Sequence, residues 1–75
     1  MSMAFAMISA ETGVEAEIME ELKNIPGVQE VYQVYGVYDI IIKIEAETMQ
    51  ELREVVLSRV RNLDKIRSTL TMICI

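Results

Sequence analysis

Four segments of the chain have the apolar patterns that are typical of β-strands. Met3–Ser9 is a short apolar run of the kind found in strands buried on both faces, and Lys65–Ile75 alternates with period two. Val28–Tyr35 and a following segment that runs to about Glu45 are rich in β-branched and aromatic residues and are separated by Gly36. The two middle segments therefore predict a hairpin that turns at Gly36.

Two other segments have apolar residues three and four positions apart, which is the period of an amphipathic helix. The first ends at Pro26 and Gly27, and Thr12 is its predicted N-cap. The second begins after Thr48, with Glu51 three residues later in the register of a capping box. Its apolar positions are Met49, Leu52, Val56, Val60 and Leu63.

The outer surface of this second helix carries charges of both signs. They are Glu51, Arg53, Glu54, Arg59 and Arg61. Such a mixture is most simply a solvated face with some local ion pairs, so the pattern predicts no function for these residues.

The order strand, helix, strand, strand, helix, strand predicts an α+β, ferredoxin-like βαββαβ fold, with two helices on one face of a four-stranded antiparallel sheet. Because two helices can cover only one face, the other should be polar in a monomer. It stays apolar whichever way the strands turn, with Met3, Phe5, Met7 or Ala4, Ala6, Ile8 in the first strand and Leu70, Met72 or Ile73, Ile75 in the last. We expect a second copy to cover this face, although scattered exposed apolar residues are also normal in monomers.

Composition narrows the class of protein further. With 75 residues, of which 52% are hydrophobic and 25% charged, the chain has the size and balance of one globular domain. The net charge of −5 opposes attraction to a phosphate backbone, so autonomous DNA binding is not expected. There is no histidine, and Cys74 is the single cysteine, expected as a buried small hydrophobe; we expect no metal and no cofactor. No apolar run approaches membrane-spanning length and the first residues do not resemble a signal peptide, so we expect a cytoplasmic protein.

The segment VYQVYGVYDIIIKIEAETMQEL resembles the effector domain of the Lrp/AsnC family of transcription regulators, a module called RAM, for regulation of amino acid metabolism. The resemblance lies in Val31, Val34, Gly36, Tyr38 and Asp39, then in Ile40–Ile44 around Lys43. It implies a stand-alone RAM domain over residues 1–75 without a helix-turn-helix domain. It also implies a dimeric αβ-sandwich whose two sheets face each other, which can assemble into a ring of dimers, with amino acids bound between subunits near the hairpin.

Asp39 is the chemical feature that agrees with this resemblance. A lone carboxylate at a turn between two apolar strands can bind the ammonium group of an amino acid, while Tyr35, Gly36, Val37 and Tyr38 can supply backbone groups and aromatic surface. The family resemblance implies that Thr69 and Thr71 of a neighbouring subunit bind the carboxylate of the ligand.

Each of these residues also has an ordinary structural explanation. Asp39 can bond to backbone N–H groups of its own turn, and Gly36 can be required only for its positive φ. The tyrosines can serve as cross-strand packing, and threonine is common in strands.

Three functions remain open at this point. The first is a non-catalytic amino-acid-binding module that acts as a homo-oligomer in the control of transcription or amino acid metabolism. The second is an interaction subunit that assembles with full-length Lrp/AsnC regulators. The third is a small ferredoxin-like enzyme, for which the chain offers neither histidine nor paired carboxylates at the hairpin.

Overall fold

The computed structural model describes all 75 residues. Its elements are β1 (Ser2–Ala10), α1 (Glu15–Lys23), β2 (Val28–Gln33), β3 (Ile40–Ala46), α2 (Met49–Glu54), a π-helical segment (Val55–Val60) that continues α2, and β4 (Ile66–Ile73). The four strands form one antiparallel sheet in the order β2-β3-β1-β4. The predicted ferredoxin-like βαββαβ fold is confirmed.

The core lies between the sheet and the helices. On the central strand β1 the helix side consists of small residues and one isoleucine, and on β3 it consists of isoleucines. The buried strand residues are Ala4, Ala6, Ile8, Ala10, Ile40, Ile42 and Ile44. The helical segments contribute Ile18, Leu22, Leu52, Val56 and Val60. The larger side chains of β1, Met3, Phe5 and Met7, are therefore on the face without helices.

The two helices differ in how they begin. The side chain of Thr48 accepts a hydrogen bond from the N–H of Glu51 at 3.1 Å, which confirms the predicted cap of the second helix. The prediction that Thr12 caps the first helix is wrong. Val14 occupies that position without a side-chain bond, and the Glu15 carboxylate instead accepts from the N–H of Gly13 at 2.9 Å.

The second helix does not continue as a regular α-helix to Leu63. After Glu54 it winds as a π-helix, and its last hydrogen bond joins the N–H of Arg61 to the carbonyl of Val56 at 3.1 Å. Leu63 lies beyond the helix, although it still packs against the core. The predicted apolar stripe is right, but its last member belongs to the connection to β4.

β2 and β4 are shorter than the sequence pattern suggested, and β4 is also irregular. β2 ends at Gln33, and the six residues 34–39 connect it to β3 instead of a tight turn at Gly36. In β4, Ile66 pairs with Ala10 but Ser68 pairs with Ser9, which marks a bulge. Because of the bulge Ile66 packs against the core instead of sharing a face with Ser68.

The face of the sheet without helices divides into an apolar part and a charged part. The apolar part comprises Met3, Phe5 and Met7 of β1, Ile41 of β3, and Leu70 and Met72 of β4. The charged part lies on β2 and β3, where Lys43 forms salt bridges of 3.5 Å to Glu30 and 3.9 Å to Glu45. Cys74, expected to be buried, is partly exposed just after β4. Neither helical element has the length and apolarity that crossing a bilayer requires.

Candidate functional site

The loop between β2 and β3 projects from one end of the sheet. Tyr35 and Val37 are almost completely exposed, at 106% and 86% of their reference areas, whereas Tyr38 is half-buried. Gly36 has φ of 146°, a conformation that favours glycine, and a Cβ there would meet only the carbonyl of Tyr38 at 3.9 Å. The glycine therefore serves the backbone path, and the loop remains open to an approaching ligand.

Asp39 fastens this loop to the sheet through three hydrogen bonds. Its N–H donates to the carbonyl of Ile8 at 2.8 Å, and its carbonyl accepts from the N–H of Val34 at 2.7 Å. Its carboxylate oxygen Oδ2 accepts from the N–H of Ala10 at 3.0 Å. The side chain thus bonds to β1, and not to its own turn as the structural explanation assumed.

The second carboxylate oxygen of Asp39 has no hydrogen-bond partner within the chain. The carboxylate is half-buried and fixed at one oxygen, so its position is defined before any ligand arrives. An ionised carboxylate is an acceptor with room for several bonds. Asp39 can therefore accept a hydrogen bond from an ammonium group without giving up its contact with Ala10.

Thr69 and Thr71 lie on β4, on the face that the helices cover. They pair with Ile8 and Ala6 of β1. Because the Ile8 carbonyl accepts from Asp39 on the β3 side, Ile8 and Thr69 form a pair without mutual hydrogen bonds, and so do Ala6 and Thr71 two residues along. The backbone N–H groups of both threonines therefore point outward, along the free edge of the sheet.

A single chain does not bring the hairpin and the threonines together. Asp39 and Thr69 flank Ile8 from opposite sides, so their backbones are two strand spacings apart, roughly 9–10 Å. The ammonium and carboxylate groups of an α-amino acid are attached to one carbon atom and cannot bridge that distance. The assignment of Thr69 and Thr71 to a neighbouring subunit stays a prediction.

A groove of about 420 Å³ lies between the second helix and β4. Arg53, Arg61, Thr69 and Thr71 form its polar lining, and Nε of Arg61 donates to the hydroxyl of Thr69 at 3.4 Å. The sequence pattern predicted no function for these arginines. Arg53, Leu57 and Arg61 recur at intervals of four residues, which is the available signal that they share a side of the helix, but the mixed signs of the charges around them concealed it.

Another depression, of about 490 Å³, lies beside Gly27 on the opposite side of the second helix. Its lining includes the carboxylates of Glu47, Glu51 and Glu54, with Arg59 as the one basic residue. The negative charges of these glutamates repel the carboxylate of an amino acid, so this depression fits such a ligand less well than the arginine-lined groove.

The most perturbed titratable pair lies away from both regions, on the charged part of the helix-free face. The hydroxyl of Tyr32 donates to the Glu30 carboxylate, which lowers the pKa of Glu30, and Lys43 lowers it further. The same hydrogen bond raises the pKa of Tyr32. These shifts concern the helix-free face and not the loop between β2 and β3.

Comparisons of the chain with known proteins identify its family. The family model that describes the Lrp/AsnC ligand binding domain matches residues 3–75 of the chain. The crystal structure of FFRP-DM1 is 40% identical, with a TM-score of 0.94, and each chain covers 100% of the other. The HTH-type transcriptional regulator FL11 of Pyrococcus furiosus is 32% identical over 71 residues, which are 95% of this chain and 46% of that protein.

The chain spans less than half the length of the curated regulators that it matches, between 39% and 46% of them. One enzyme is also similar to it: homocitrate synthase of Sulfurisphaera tokodaii is 35% identical over 69 residues, or 91% of this chain and 15% of the enzyme. The similar region is thus a small part of that enzyme.

Proposed function

Because the chain belongs to the Lrp/AsnC ligand-binding domain family, we propose that it is a non-catalytic module that binds a free amino acid and acts as a homo-oligomer in regulation. Residues 1–75 form the ligand-binding unit in this proposal. Tyr35, Gly36, Val37 and Tyr38 surround the ligand, and Asp39 binds its ammonium group. Thr69 and Thr71 come from a neighbouring copy. Like the transcriptional regulators that it resembles, the module acts in the cytoplasm.

The observation that carries this proposal is the state of the Asp39 carboxylate. One oxygen is held by Ala10, and the other has no partner at an exposed loop. A fixed anion with free acceptor capacity is the element that a site for a primary ammonium group requires. The exposed side chains of Tyr35 and Val37 beside it provide apolar and aromatic surface for the rest of a small ligand.

The apolar side chains of the helix-free face support the proposal of homo-oligomerisation. Met3, Phe5 and Met7 occupy the centre of that face, and Leu70 and Met72 of β4 are 45% and 48% exposed beside them. Burial of apolar surface stabilises an assembly by about 25 cal/mol per Å². A second copy that packs its own sheet against this face covers the apolar part in both copies at once.

The test is a thermal-unfolding screen of the purified protein with each of the common amino acids. A ligand that binds only the folded protein raises Tm in a concentration-dependent way, so we expect one amino acid or one chemical group of them to do so. The variant Asp39→Asn should lose this response. A flat screen, with no amino acid raising Tm, would contradict the proposal.

A second candidate is an interaction subunit that joins full-length Lrp/AsnC regulators through the same sheet face. The similarity of the chain to one part of each curated regulator, less than half of its length, favours it, because equivalent domains can form mixed dimers. Co-purification from the native extract with a longer regulator would support this candidate. Recovery of homomeric assemblies alone would argue against it.

A further inference from the structure

Three of the six methionines lie together on the helix-free face of the sheet. Met3 and Met7 stand two residues before and after Phe5 on β1, and Met72 of β4 pairs directly with Phe5. Because side chains two residues apart on a strand share a face, the thioethers of these face methionines surround one aromatic ring. The apolar part of the face therefore has a sulfur-rich centre, although leucine would satisfy the same period-two pattern.

The accessibility of the face methionines depends on assembly. Met72 is 48% exposed, and Met3 and Met7 are partly exposed. A second copy packed against the helix-free face removes all three thioethers from water. Met19 and Met49 pack instead against the core between the sheet and the helices, so the same assembly leaves their surroundings unchanged.

From this arrangement we infer that the helix-free face is a redox-sensitive assembly switch: a peroxide converts the face methionines to sulfoxides, and the two copies separate. The inference rests on the homo-oligomer of the proposed function and adds a form of regulation to it. Because the proposed amino acid site combines residues of two copies, its affinity for the ligand should fall as the copies separate.

The oxidation of each methionine requires only the peroxide. The thioether sulfur attacks one oxygen of hydrogen peroxide, so that an S–O bond forms while the O–O bond breaks. The departing hydroxide takes the proton of the transferred oxygen and leaves as water. The sulfur loses two electrons, which reduce the peroxide, and the product is methionine sulfoxide.

The sulfoxide oxygen is a hydrogen-bond acceptor that an apolar interface does not satisfy. The residues paired with Met7 are Ile41 and Leu70, whose side chains have no donor. The cation of this face, Lys43, already forms salt bridges with two glutamates. Water bonds to the sulfoxide in a free copy, whereas burial without a partner costs free energy, so oxidation favours the separated copies.

The experiment treats the purified protein with hydrogen peroxide at a concentration of protein near the dimer dissociation constant, where free copies are present. Peptide mass spectrometry should find one added oxygen on each face methionine. Sedimentation velocity should show that the dimer dissociation constant rises about tenfold or more, because each sulfoxide lacks a donor in the interface. Reduction by the two stereospecific methionine sulfoxide reductases with a thiol reductant should restore the dimer.

The combined variant Met3→Leu, Met7→Leu and Met72→Leu removes the reactive sulfur atoms at nearly constant side-chain volume. It should form the dimer and keep it after peroxide treatment. The matched control combines Met19→Leu with Met49→Leu, which removes thioethers from the other side of the sheet, and it should lose the dimer as the wild type does.

Two further measurements separate thioether oxidation from other effects of peroxide. Cys74→Ser removes the single thiol and should leave the response unchanged. In the wild type, the fraction of separated copies should follow the sulfoxide content of the face methionines during the reaction, which tests the inference even without the leucine variant.

A dimer that persists with all three face methionines oxidised would overturn the inference, and so would equal dissociation of the leucine variant and the wild type. Failure of the proposed function gives a different result. A peroxide-sensitive dimer together with a flat amino acid screen would retain the switch and refute the amino acid function. Amino acid stabilisation of a peroxide-insensitive dimer would refute the switch and retain the function.

Discussion

The carboxylate of Asp39 accepts a hydrogen bond from the backbone N–H of Ala10, 29 residues earlier in the chain, at 3.0 Å. This bond closes the end of β1 with the side chain that is also the candidate ligand anion. One residue therefore has both a structural and a proposed binding role, and the two roles can be separated by substitution.

Asp39→Ala removes the acceptor of the Ala10 N–H and should lower the free energy of unfolding by about 1–2 kcal/mol. Asp39→Asn keeps a carbonyl acceptor of the same shape, so its stability should stay within about 0.5 kcal/mol of the wild type. Both variants should lose the amino acid response. Urea unfolding with and without the stabilising amino acid measures both effects, and a retained response in Asp39→Asn would exclude Asp39 as the ammonium partner.

The cap of the second helix should contribute to stability, whereas the predicted cap of the first should not. Thr48→Ala removes the acceptor of the Glu51 N–H and should cost about 1 kcal/mol. Thr12 does not form a cap, so Thr12→Ala should be close to neutral. Chemical denaturation of the two variants in parallel measures their free energies of unfolding. An equal loss of stability in both would contradict the capping geometry.

Gly27 combines a positive φ of 99° with a close neighbour, since a Cβ there would lie 3.0 Å from the carbonyl oxygen of Glu45. Gly27→Ala should therefore cost about 1–2 kcal/mol for the backbone conformation, and more for the backbone contact. Gly13 has a similar φ of 92° but open space around it, so Gly13→Ala isolates the conformational part. Thermal unfolding should rank Gly27→Ala as clearly less stable than Gly13→Ala.

The pair formed by Tyr32 and Glu30 predicts a pH dependence. A carboxyl whose pKa is lower in the folded chain adds stability above its unfolded value of about 4.5 and loses it as the pH falls through the folded value. Tyr32→Phe should move the pKa of Glu30 back toward that value, because the hydrogen bond from the Tyr32 hydroxyl is the largest cause of the lowering. NMR titration of the Glu30 side-chain carbonyl measures the shift, and an unchanged midpoint would contradict the role of the hydroxyl.

The proposed sheet-to-sheet assembly predicts a selective effect of charge on the helix-free face. Met7→Lys places an ammonium group at the centre of its apolar part and should shift the protein from dimer to monomer. Ala16→Lys adds the same charge on the exposed surface of α1 and should leave the dimer intact. Sedimentation velocity distinguishes the outcomes, and a wild-type protein that is monomeric in dilute solution would refute the assembly.

The periodicity of the sequence was sufficient for the order of the elements and for the fold. Period-two and helical patterns depend on side-chain direction, which is a local property of the backbone, and the cap at Thr48 is a contact across three residues. The predicted boundaries and regularity of the elements were less accurate. The last turns of α2 wind as a π-helix, and β4 contains a bulge at Ile66, because packing against the rest of the core decided both.

The sequence by itself determined that a carboxylate, Asp39, stands beside Gly36 between two apolar strands, and that more apolar strand surface exists than two helices can cover. It left open which of the two alternating sets of β1 side chains faces the helices. In the fold, Ala4, Ala6 and Ile8 are buried against the helices, and Met3, Phe5 and Met7 lie on the other face. Tertiary structure alone paired Asp39 with Ala10 and placed Arg61 beside Thr69. These contacts join residues of different elements, 29 and 8 positions apart, and they depend on strand register and helix position, which no local pattern encodes.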